Sequence, residues 1–221
     1  MLTIAIHQEP ILANESGAKM KSYKGLFITF EGVDGVGKTT QAKLLNKALN
    51  EAGFNSVYTK EPGGNIRKML LDPESKINPI SEMLLYAADR AQHVEDTILP
   101  HLHKNSKNIV VCDRYVDSTS AYQCYGLRIP MEDIQRINYI ATRGLLPNLT
   151  ILLDCNTNMM TKQNKDRIEQ RGDKFYDRVA HGYRMLAKRN KRFKVVNSDD
   201  SIENVSNAIW NVFCETFNHG L

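Results

Sequence analysis

The sequence predicts an α/β fold, a three-layer sandwich in which a five-stranded parallel sheet carries helices on both faces. Three observations support this prediction. Short, mostly apolar runs recur along the 221 residues, stretches with helical apolar spacing separate them, and a glycine-rich loop joins the first run to the first helix. Ligands of such sheets bind beyond the carboxyl ends of the strands. The five runs are Leu26–Glu31, Ser56–Lys60, Asn108–Asp113, Leu149–Asp154 and Phe193–Asn197.

The loop after the first strand has the sequence FEGVDGVGKTTQ, Phe30–Gln41. It satisfies G-x-x-x-x-G-K-[ST], the phosphate-binding loop, in which backbone N–H groups and a helix N-terminus face an anion. Apolar residues at helical spacing follow until Gly53, a residue type that often ends helices. The chain is therefore predicted to have the P-loop NTPase fold and to bind ATP; the alternative is a chance match in a structural loop. The residues expected to bind ATP are Gly32, Val33, Asp34, Gly35, Val36, Gly37, Lys38, Thr39 and Thr40.

The later helices are predicted from apolar residues spaced three or four positions apart. One spans about Ile80–Leu102, a second Asp173–Arg189, and the last begins at Ile202. A basic cluster lies at the end of the second, where cations complement the helix dipole, so a solvated helix end is favoured over a nucleic-acid site. The cluster consists of Lys188, Arg189, Lys191, Arg192 and Lys194. His101 and His103 are expected to be exposed, since no third metal ligand lies near them in the sequence.

The composition is typical of one globular domain, predicted at 25–221 behind a flexible extension at 1–24. The net charge of +4 does not require nucleic acid, because a cleft that holds several phosphates accounts for some of it. No apolar run approaches the length of a membrane span. The four cysteines lie far apart, which favours reduced thiols and a cytoplasmic location over a zinc site.

Further motifs narrow the class of P-loop protein. The chain lacks the N-K-x-D segment with which GTPases recognise their base. In order, it carries KEPGG at Lys60–Gly64, LLYAADRAQ at Leu84–Gln92, DRYVDSTSAYQCYG at Asp113–Gly126 and DRIE at Asp166–Glu169. With the loop, these motifs closely resemble thymidylate kinases of the bacterial type, from about Leu26 to Phe213. The resemblance implies transfer of the γ-phosphoryl group of ATP to dTMP, with Mg²⁺, by a homodimer, and implies neither nucleic-acid nor membrane partners.

Phosphoryl transfer between two anions requires cations at both phosphates. Lys38 is expected to lie along the β- and γ-phosphates, and Thr39 to ligate Mg²⁺. At the end of a strand, the Arg114 guanidinium can bind the acceptor phosphate and Asp113 can hold Mg²⁺ through water. The resemblance further implies that Arg67 binds the same phosphate and that Asp34 contacts the acceptor 3′-hydroxyl or the water shell of the metal. It also implies that Glu61 lies in the substrate site.

Base selection is assigned to one helix face and to the segment after DRY. Tyr86 and Arg90 are four residues apart and share a helix face, so Tyr86 can stack on the pyrimidine while Arg90 donates to thymine O4. Cytosine presents an amino donor at that position, which Arg90 would reject. Three more residues complete the substrate site as predicted: Thr119, Tyr122 near the sugar 2′ carbon, and Gln123 at the base edge. The alternative for the two tyrosines is that they are core aromatics.

The segment at about 156–171 departs from the family, which usually places a catalytic arginine in this lid. Before Arg167 its cations are Lys162 and Lys165, and lysine supplies charge without a bidentate fork. The prediction is lid closure to which all three contribute. The other possibilities are that Arg167 or Arg171 swings in, that the two lysines serve instead, or that transfer is slower than usual.

Three alternatives to a thymidylate kinase stay open. A kinase of another nucleotide or of a deoxynucleoside would use the same loop, although a hydroxyl acceptor needs a general base where Arg67 and Arg114 supply cations. The alternative of a nucleotide-binding regulator without turnover rests only on the sparse lid, and the intact residues Lys38, Thr39, Asp34 and Arg114 argue against it. The interpretation of the chain as a nucleic-acid-binding protein depends on the basic helix end alone.

Overall fold

Strand β1 lies at the centre of the sheet, and all six of its residues are buried. The computed structural model describes residues 23–155 and 166–217. Five parallel strands form the sheet, in the order β2-β3-β1-β4-β5. They are β1 (Leu26–Glu31), β2 (Asn55–Lys60), β3 (Asn108–Asp113), β4 (Leu149–Asp154) and β5 (Phe193–Asn197). The predicted fold class is confirmed, with only β2 beginning one residue earlier than expected. The predicted extension, apart from 23 and 24, and lid positions 156–165 lie outside the described residues.

Helices cover both faces of this sheet and connect its strands. They are α1 (Lys38–Glu51), α2 (Gly64–Leu71), α3 (Pro79–His93), α4 (Leu99–Leu102), α5 (Val116–Thr119), α6 (Met131–Thr142), α7 (Asp173–Arg189) and α8 (Ile202–Phe217). The predicted helix Ile80–Leu102 is one continuous helical run, but α3 and α4 are joined by a π-helical turn, Val94–Ile98. A second π-helical segment, Ser120–Gly126, follows α5, and a 3₁₀ turn, Glu169–Arg171, precedes α7.

The core divides into layers on the two sides of the sheet. On one side α1 and α8 pack on β1 and β4 through Leu45, Leu49, Ile209 and Phe213. On the other, the run from α3 to α4 packs on Phe27 and Val110, and α7 packs beside the segment Ser120–Gly126. A cavity lies at the carboxyl ends of β2 and β3, lined by their last residues Lys60 and Asp113, and the phosphate-binding loop follows β1 at the same edge of the sheet.

The basic cluster at the end of α7 is not solvated as a whole. Four of its members are exposed, but Arg192 forms a two-pronged ion pair with Asp117, with both N–O distances 2.7 Å. Arg192 therefore ties the start of β5 to α5, a correction to the prediction for that residue. His103 is exposed as expected, whereas His101 is half-buried with Nε2 2.9 Å from the Asn55 carbonyl oxygen. Within residues 23–155 and 166–217, no helix is both long and apolar enough to cross a membrane.

Candidate active site

The phosphate-binding loop owes its shape to glycines in backbone conformations that other residues adopt only under strain. Gly32 has φ 140°, and a Cβ there would clash with the backbone carbonyl of Leu153. Gly37 has φ 89° and immediately precedes α1, so the helix N-terminus faces the loop. The sequence G-x-x-x-x-G thus creates the open end of the sheet at which an anion can approach backbone N–H groups.

One cavity of about 330 Å³ brings most of the predicted residues together. The residues that were predicted for the site and that line this cavity are Asp34, Gly35, Gly37, Lys38, Thr39, Thr40, Glu61, Arg67, Tyr86, Arg90, Asp113, Arg114, Thr119, Tyr122 and Gln123. Gly32, Val33 and Val36 belong to the loop but do not line the cavity. Lys162 and Lys165 fall outside the described residues. Residues from separate parts of the chain therefore share one site, with the loop at one end and the α3 face at the other.

An ion pair between Arg114 and Asp34 lies at the centre of this cavity. Arg114 Nη2 is 2.5 Å from Asp34 Oδ1, and the hydroxyls of Tyr122 and Tyr176 donate to Oδ2 at 2.9 and 3.4 Å. Although burial alone would raise the pKa of Asp34, the charges of Arg114 and Lys38 hold it well below its ordinary value. Asp34 is therefore a carboxylate at neutral pH, and Arg114 is a cation poised beside the loop.

The position of Arg114 depends on a left-handed backbone and a buried acid beneath it. Arg114 follows β3 with φ 74°, a conformation rare outside glycine and often associated with functional sites. Glu31, fully buried at the end of β1, accepts hydrogen bonds from the Tyr115 and Ser118 backbone N–H groups at 2.8 and 3.2 Å. Ser118 Oγ and the Tyr183 hydroxyl donate to its other oxygen. Glu31 thus fixes the turn from β3 to α5 that presents the arginine.

Lys38 is nearly buried, and its Nζ donates to the Val33 carbonyl at 2.6 Å. Burial, followed by repulsion from Arg114, lowers its pKa to about 8. Thr39 Oγ1 donates a short hydrogen bond to Asp113 Oδ2. Among the described residues, Asp113 Oδ1 is buried without a hydrogen-bond partner. A hydroxyl and a carboxylate side by side, with one oxygen unused, form a donor set suited to a hard divalent cation.

The α3 end of the cavity is built around Arg90, which is 1% exposed. Its Nε donates to Glu61, its Nη1 to Thr119 and Asn138, and its Nη2 to the Tyr115 carbonyl, at 2.7 to 3.1 Å. These four bonds leave one Nη2 hydrogen for a ligand. Glu61, 2% exposed, also lies 2.9 Å from His93 Nδ1, so its carboxylate holds Arg90 in place.

Glu82 lies at the centre of a second charged cluster in this region. Its place in the site was not predicted. Its fully buried carboxylate accepts from Arg167 Nη2 at 2.6 Å, from both Nη atoms of Arg171 and from Gln123 Nε2. The predicted lid residue Arg167 also donates to the Leu70 carbonyl. In this structure Arg167 is therefore bound to the body of the protein, and a contribution to phosphoryl transfer would require these bonds to break.

Several residues at the site escaped prediction because their sequence pattern assigns them to the core. Tyr183 follows the apolar period of α7, yet its hydroxyl reaches both Glu31 and Arg114. Tyr176 is buried in the same cluster and reaches Asp34. The one available signal was the polar hydroxyl itself, since a buried tyrosine usually finds a partner for it. Glu31 gave no signal, because it ends an otherwise apolar strand.

Glu31 predicts a pH-dependent stability. Burial, with repulsion from Asp117, raises its pKa from 4.5 to about 7. Between these values the folded state holds a proton that the unfolded state has released, so this contribution to the free energy of unfolding falls as pH rises, by roughly 3 kcal/mol in all. We expect the stability of Glu31→Gln relative to the unmodified protein to increase by that amount from pH 4.5 to 7.5. Urea unfolding at several pH values measures it, and parallel pH profiles would contradict it.

Three comparisons place this geometry among known proteins. A family model described as thymidylate kinase matches residues 30–209. The chain is 43% identical to a thymidylate kinase of Geotalea daltonii over 204 residues, 84% of this chain and 94% of that protein. It is 41% identical to a thymidylate kinase of an Exiguobacterium species over 208 residues, 89% and 97% of the two chains.

The fold comparison agrees. The crystal structure of a thymidylate kinase from Ehrlichia chaffeensis superposes with a TM-score of 0.72 at 33% sequence identity. The match covers 86% of this chain and 98% of that one. The similarity therefore extends over the loop, the sheet and the helices that line the cavity.

Proposed function

Because the chain belongs to the thymidylate kinase family, we propose that it transfers the γ-phosphoryl group of ATP to dTMP and releases ADP and dTDP. The observation that carries the proposal is the single cavity shared by the phosphate-binding loop, Arg114 and the α3 face with Tyr86. Two phosphate-bearing substrates can enter it from opposite ends. Their reacting groups would then meet beside the Asp34–Arg114 ion pair.

Different residues of the cavity have different roles in the proposed transfer. Catalysis of this reaction is mainly positioning and charge stabilisation, since little covalent chemistry is left to the protein. Lys38 lies where it can neutralise the β- and γ-phosphates of ATP. The Arg114 guanidinium, joined by Arg67, binds the acceptor phosphate through its fork. When the phosphate recruits Arg114, Asp34 is available to accept a hydrogen bond from the sugar 3′-hydroxyl, and Tyr122 packs against the sugar.

Mg²⁺ fits the donor set of Thr39 and Asp113. Both supply oxygen ligands, which magnesium prefers, and the unused Asp113 Oδ1 can accept from a metal-bound water. Bound there with ATP, the ion would neutralise charge on the triphosphate. Lys60 forms an ion pair with the same carboxylate, with its Nζ 3.7 Å from Asp113 Oδ2.

This assignment predicts the effect of Asp113→Asn. The amide keeps the shape but not the charge, so the Mg²⁺ concentration for half-maximal activity should rise by about tenfold at fixed ATP. A magnesium titration of steady-state turnover measures the change. Asp117→Asn is not a suitable control because it breaks the Arg192 pair, whereas the exposed Asp96→Asn leaves the site intact. An unchanged magnesium dependence would remove Asp113 from the metal site.

Base recognition is assigned to Tyr86, Arg90 and Gln123. Tyr86 supplies a ring for stacking, and the remaining N–H of Arg90 can donate to thymine O4. Thr119 and Glu61 act by fixing that guanidinium, with their oxygens 2.9 and 2.7 Å from its nitrogens. Cytosine would place an amino group against a donor that has no room to turn away.

Lid closure over the phosphates is the least constrained part of the proposal. Lys162 and Lys165 would supply charge from outside the described residues. Arg167 would join them only after leaving Glu82, which keeps a second arginine, Arg171, to balance its charge.

We also propose that the protein is a homodimer. A reducing, cytoplasmic compartment is proposed separately, on the basis of the four free cysteines. Exposed apolar side chains lie on α3, with Ile80 51% and Leu84 47% exposed, and on α6, with Ile140 71% exposed. The double variant Ile80→Asp/Leu84→Asp should sediment as a monomer in analytical ultracentrifugation. A matched change at exposed Ile202, on α8, should not alter the sedimentation. A monomeric unmodified protein would refute the dimer.

The decisive test of function is ADP release from ATP and Mg²⁺ with dTMP, dUMP, dCMP, UMP or thymidine as acceptor. Turnover with dTMP well above the others is expected. Turnover with thymidine alone would move the acceptor to a hydroxyl and remove the role of Arg114. Nucleotide binding without turnover would favour a regulator.

A further inference from the structure

Glu82 contacts three side chains that approach the acceptor cavity from separate parts of the chain. It lies on α3 with no solvent exposure. Its Oε1 accepts from Gln123 Nε2 at 2.9 Å and from Arg171 Nη1 at 3.1 Å. Its Oε2 accepts from Arg167 at 2.6 Å and from Arg171 Nη2 at 2.5 Å. An ionised carboxylate can only accept, so every one of these partners must present an N–H group to it.

That requirement fixes the side-chain amide of Gln123. A side-chain amide donates through its NH₂ group and accepts through its oxygen. A neighbour that can both accept and donate could therefore bind either end. With its NH₂ group bound to Glu82, the amide offers its oxygen to a ligand. Gln123 is 2% exposed and lines the cavity, so little solvent is available to stabilise the opposite orientation.

The orientation matters for the choice of pyrimidine. Thymine carries an N–H at ring position 3, which an amide oxygen accepts, whereas neutral cytosine carries a lone pair there, which only the amide NH₂ could satisfy. Glu82, Tyr86 and Arg90 follow one another at four-residue intervals and so share one face of α3. The residue that fixes Gln123 thus belongs to the same helix face as those assigned to stacking and to O4.

We infer that Glu82 is a positioning residue that makes the base site selective for thymine by holding the Gln123 amide in one orientation. This inference rests on the proposed function. Glu82 touches no substrate in this arrangement and acts through Gln123. Its two arginines balance the charge of the buried carboxylate, and with four N–H donors directed at its two oxygens Glu82 acts only as an acceptor.

A purely structural role for Glu82 predicts something different. As a counter-ion for Arg167 and Arg171 alone, it would support folding, and its loss would lower turnover of all acceptors in the same proportion. The positioning role predicts a change in the ratio of kcat/KM for dTMP to that for dCMP. Glutamine at position 82 can donate as well as accept, so it would permit both orientations of Gln123.

The experiment compares a single variant with a double variant that restores the net charge of the cluster. Arg171→Gln removes one cation and leaves Glu82 to orient Gln123, so the dTMP to dCMP ratio should stay within twofold of the unmodified protein. Glu82→Gln/Arg171→Gln has the same local net charge as the unmodified cluster, which protects folding, and should lower that ratio by about tenfold. Adding Gln123→Ala to both variants should abolish the difference between them.

The possible results distinguish a failure of the proposed function from a failure of the positioning role of Glu82. If the unmodified protein does not turn over dTMP, the proposed function fails before the variants are considered. If it does, and the double variant keeps the ratio within twofold of Arg171→Gln, the positioning role is wrong. A loss of turnover that is equal for both acceptors also refutes it in favour of the structural role. Should the double variant fail to fold, Glu82→Gln alone, judged by circular dichroism and the same ratio, decides the question.

Discussion

Replacing Arg114 by methionine is expected to lower kcat/KM for dTMP by about a thousandfold, with much of the loss in KM for dTMP. The guanidinium is the central cation of the cavity, and truncating one partner of a buried, hydrogen-bonded charge pair typically costs 2 to 5 kcal/mol. Methionine also leaves Asp34 without the partner 2.5 Å away. That carboxylate would then repel the incoming phosphates. Initial-rate kinetics with dTMP varied at saturating ATP measure the effect.

A matched control exists for the backbone of Arg114. Arg143 also has a left-handed backbone, with φ 53°, but its side chain is 69% exposed and pairs with Glu95 at the surface. Arg143→Met should leave the kinetics within a factor of two. Arg114→Lys retains the charge without the fork and should recover only part of the activity. An Arg114→Met enzyme with a normal KM for dTMP would remove this residue from the acceptor phosphate.

Replacing Lys38 by methionine is expected to lower kcat by about a thousandfold with a smaller effect on KM for dTMP. Removing one preorganised charge contact at a developing negative charge typically costs 10²- to 10³-fold in kcat. The ammonium is already partly desolvated, and burial lowers its pKa to about 8. The phosphates of ATP would bring further negative charge to this buried cation, and their interaction with it would take place in a low-dielectric site.

The control for Lys38 is its neighbour on the same helix. Lys43 is exposed, with its Nζ 5.6 Å from the centre of the Tyr58 ring, so Lys43→Met should retain the activity of the unmodified protein. Thermal unfolding of both variants tests whether the fold is retained. If Lys38→Met and Lys43→Met have equal kcat values, the loop lysine has no role in transfer.

The sheet could be predicted almost to the residue, because strands buried on both faces leave continuous apolar runs. Strand β2 was the exception: it lies at the edge of the sheet and is mostly half-buried, and Asn55 joins it through pairing with Asn108 on β3, which no local pattern indicates. The π-helical segments were also missed. One extra residue in a turn barely disturbs an apolar period of 3.6, so Val94–Ile98 was predicted simply as helix.

The residues of the short predicted motifs line one cavity, whereas the contacts between side chains distant in sequence were not predicted. The loop and DRY each contain their own geometry, and the cavity indeed contains Lys38 and Arg114. Arg192 was assigned to solvent because its partner, Asp117, lies 75 residues away. The bonds of Glu82 to Arg171 and Gln123 span 89 and 41 residues. Sequence spacing carries no information about such contacts without the fold.

The ion pair between Asp34 and Arg114 has a consequence for ligand design. A compound bearing a phosphate must compete with an aspartate for the arginine, and part of its binding energy is used to separate two charges 2.5 Å apart. An uncharged compound confined to the Tyr86 and Gln123 end leaves that pair intact. Under the proposed assignment of the base site, uncharged thymine analogues would therefore gain affinity without imitating the phosphate, and a compound without phosphate crosses membranes more readily.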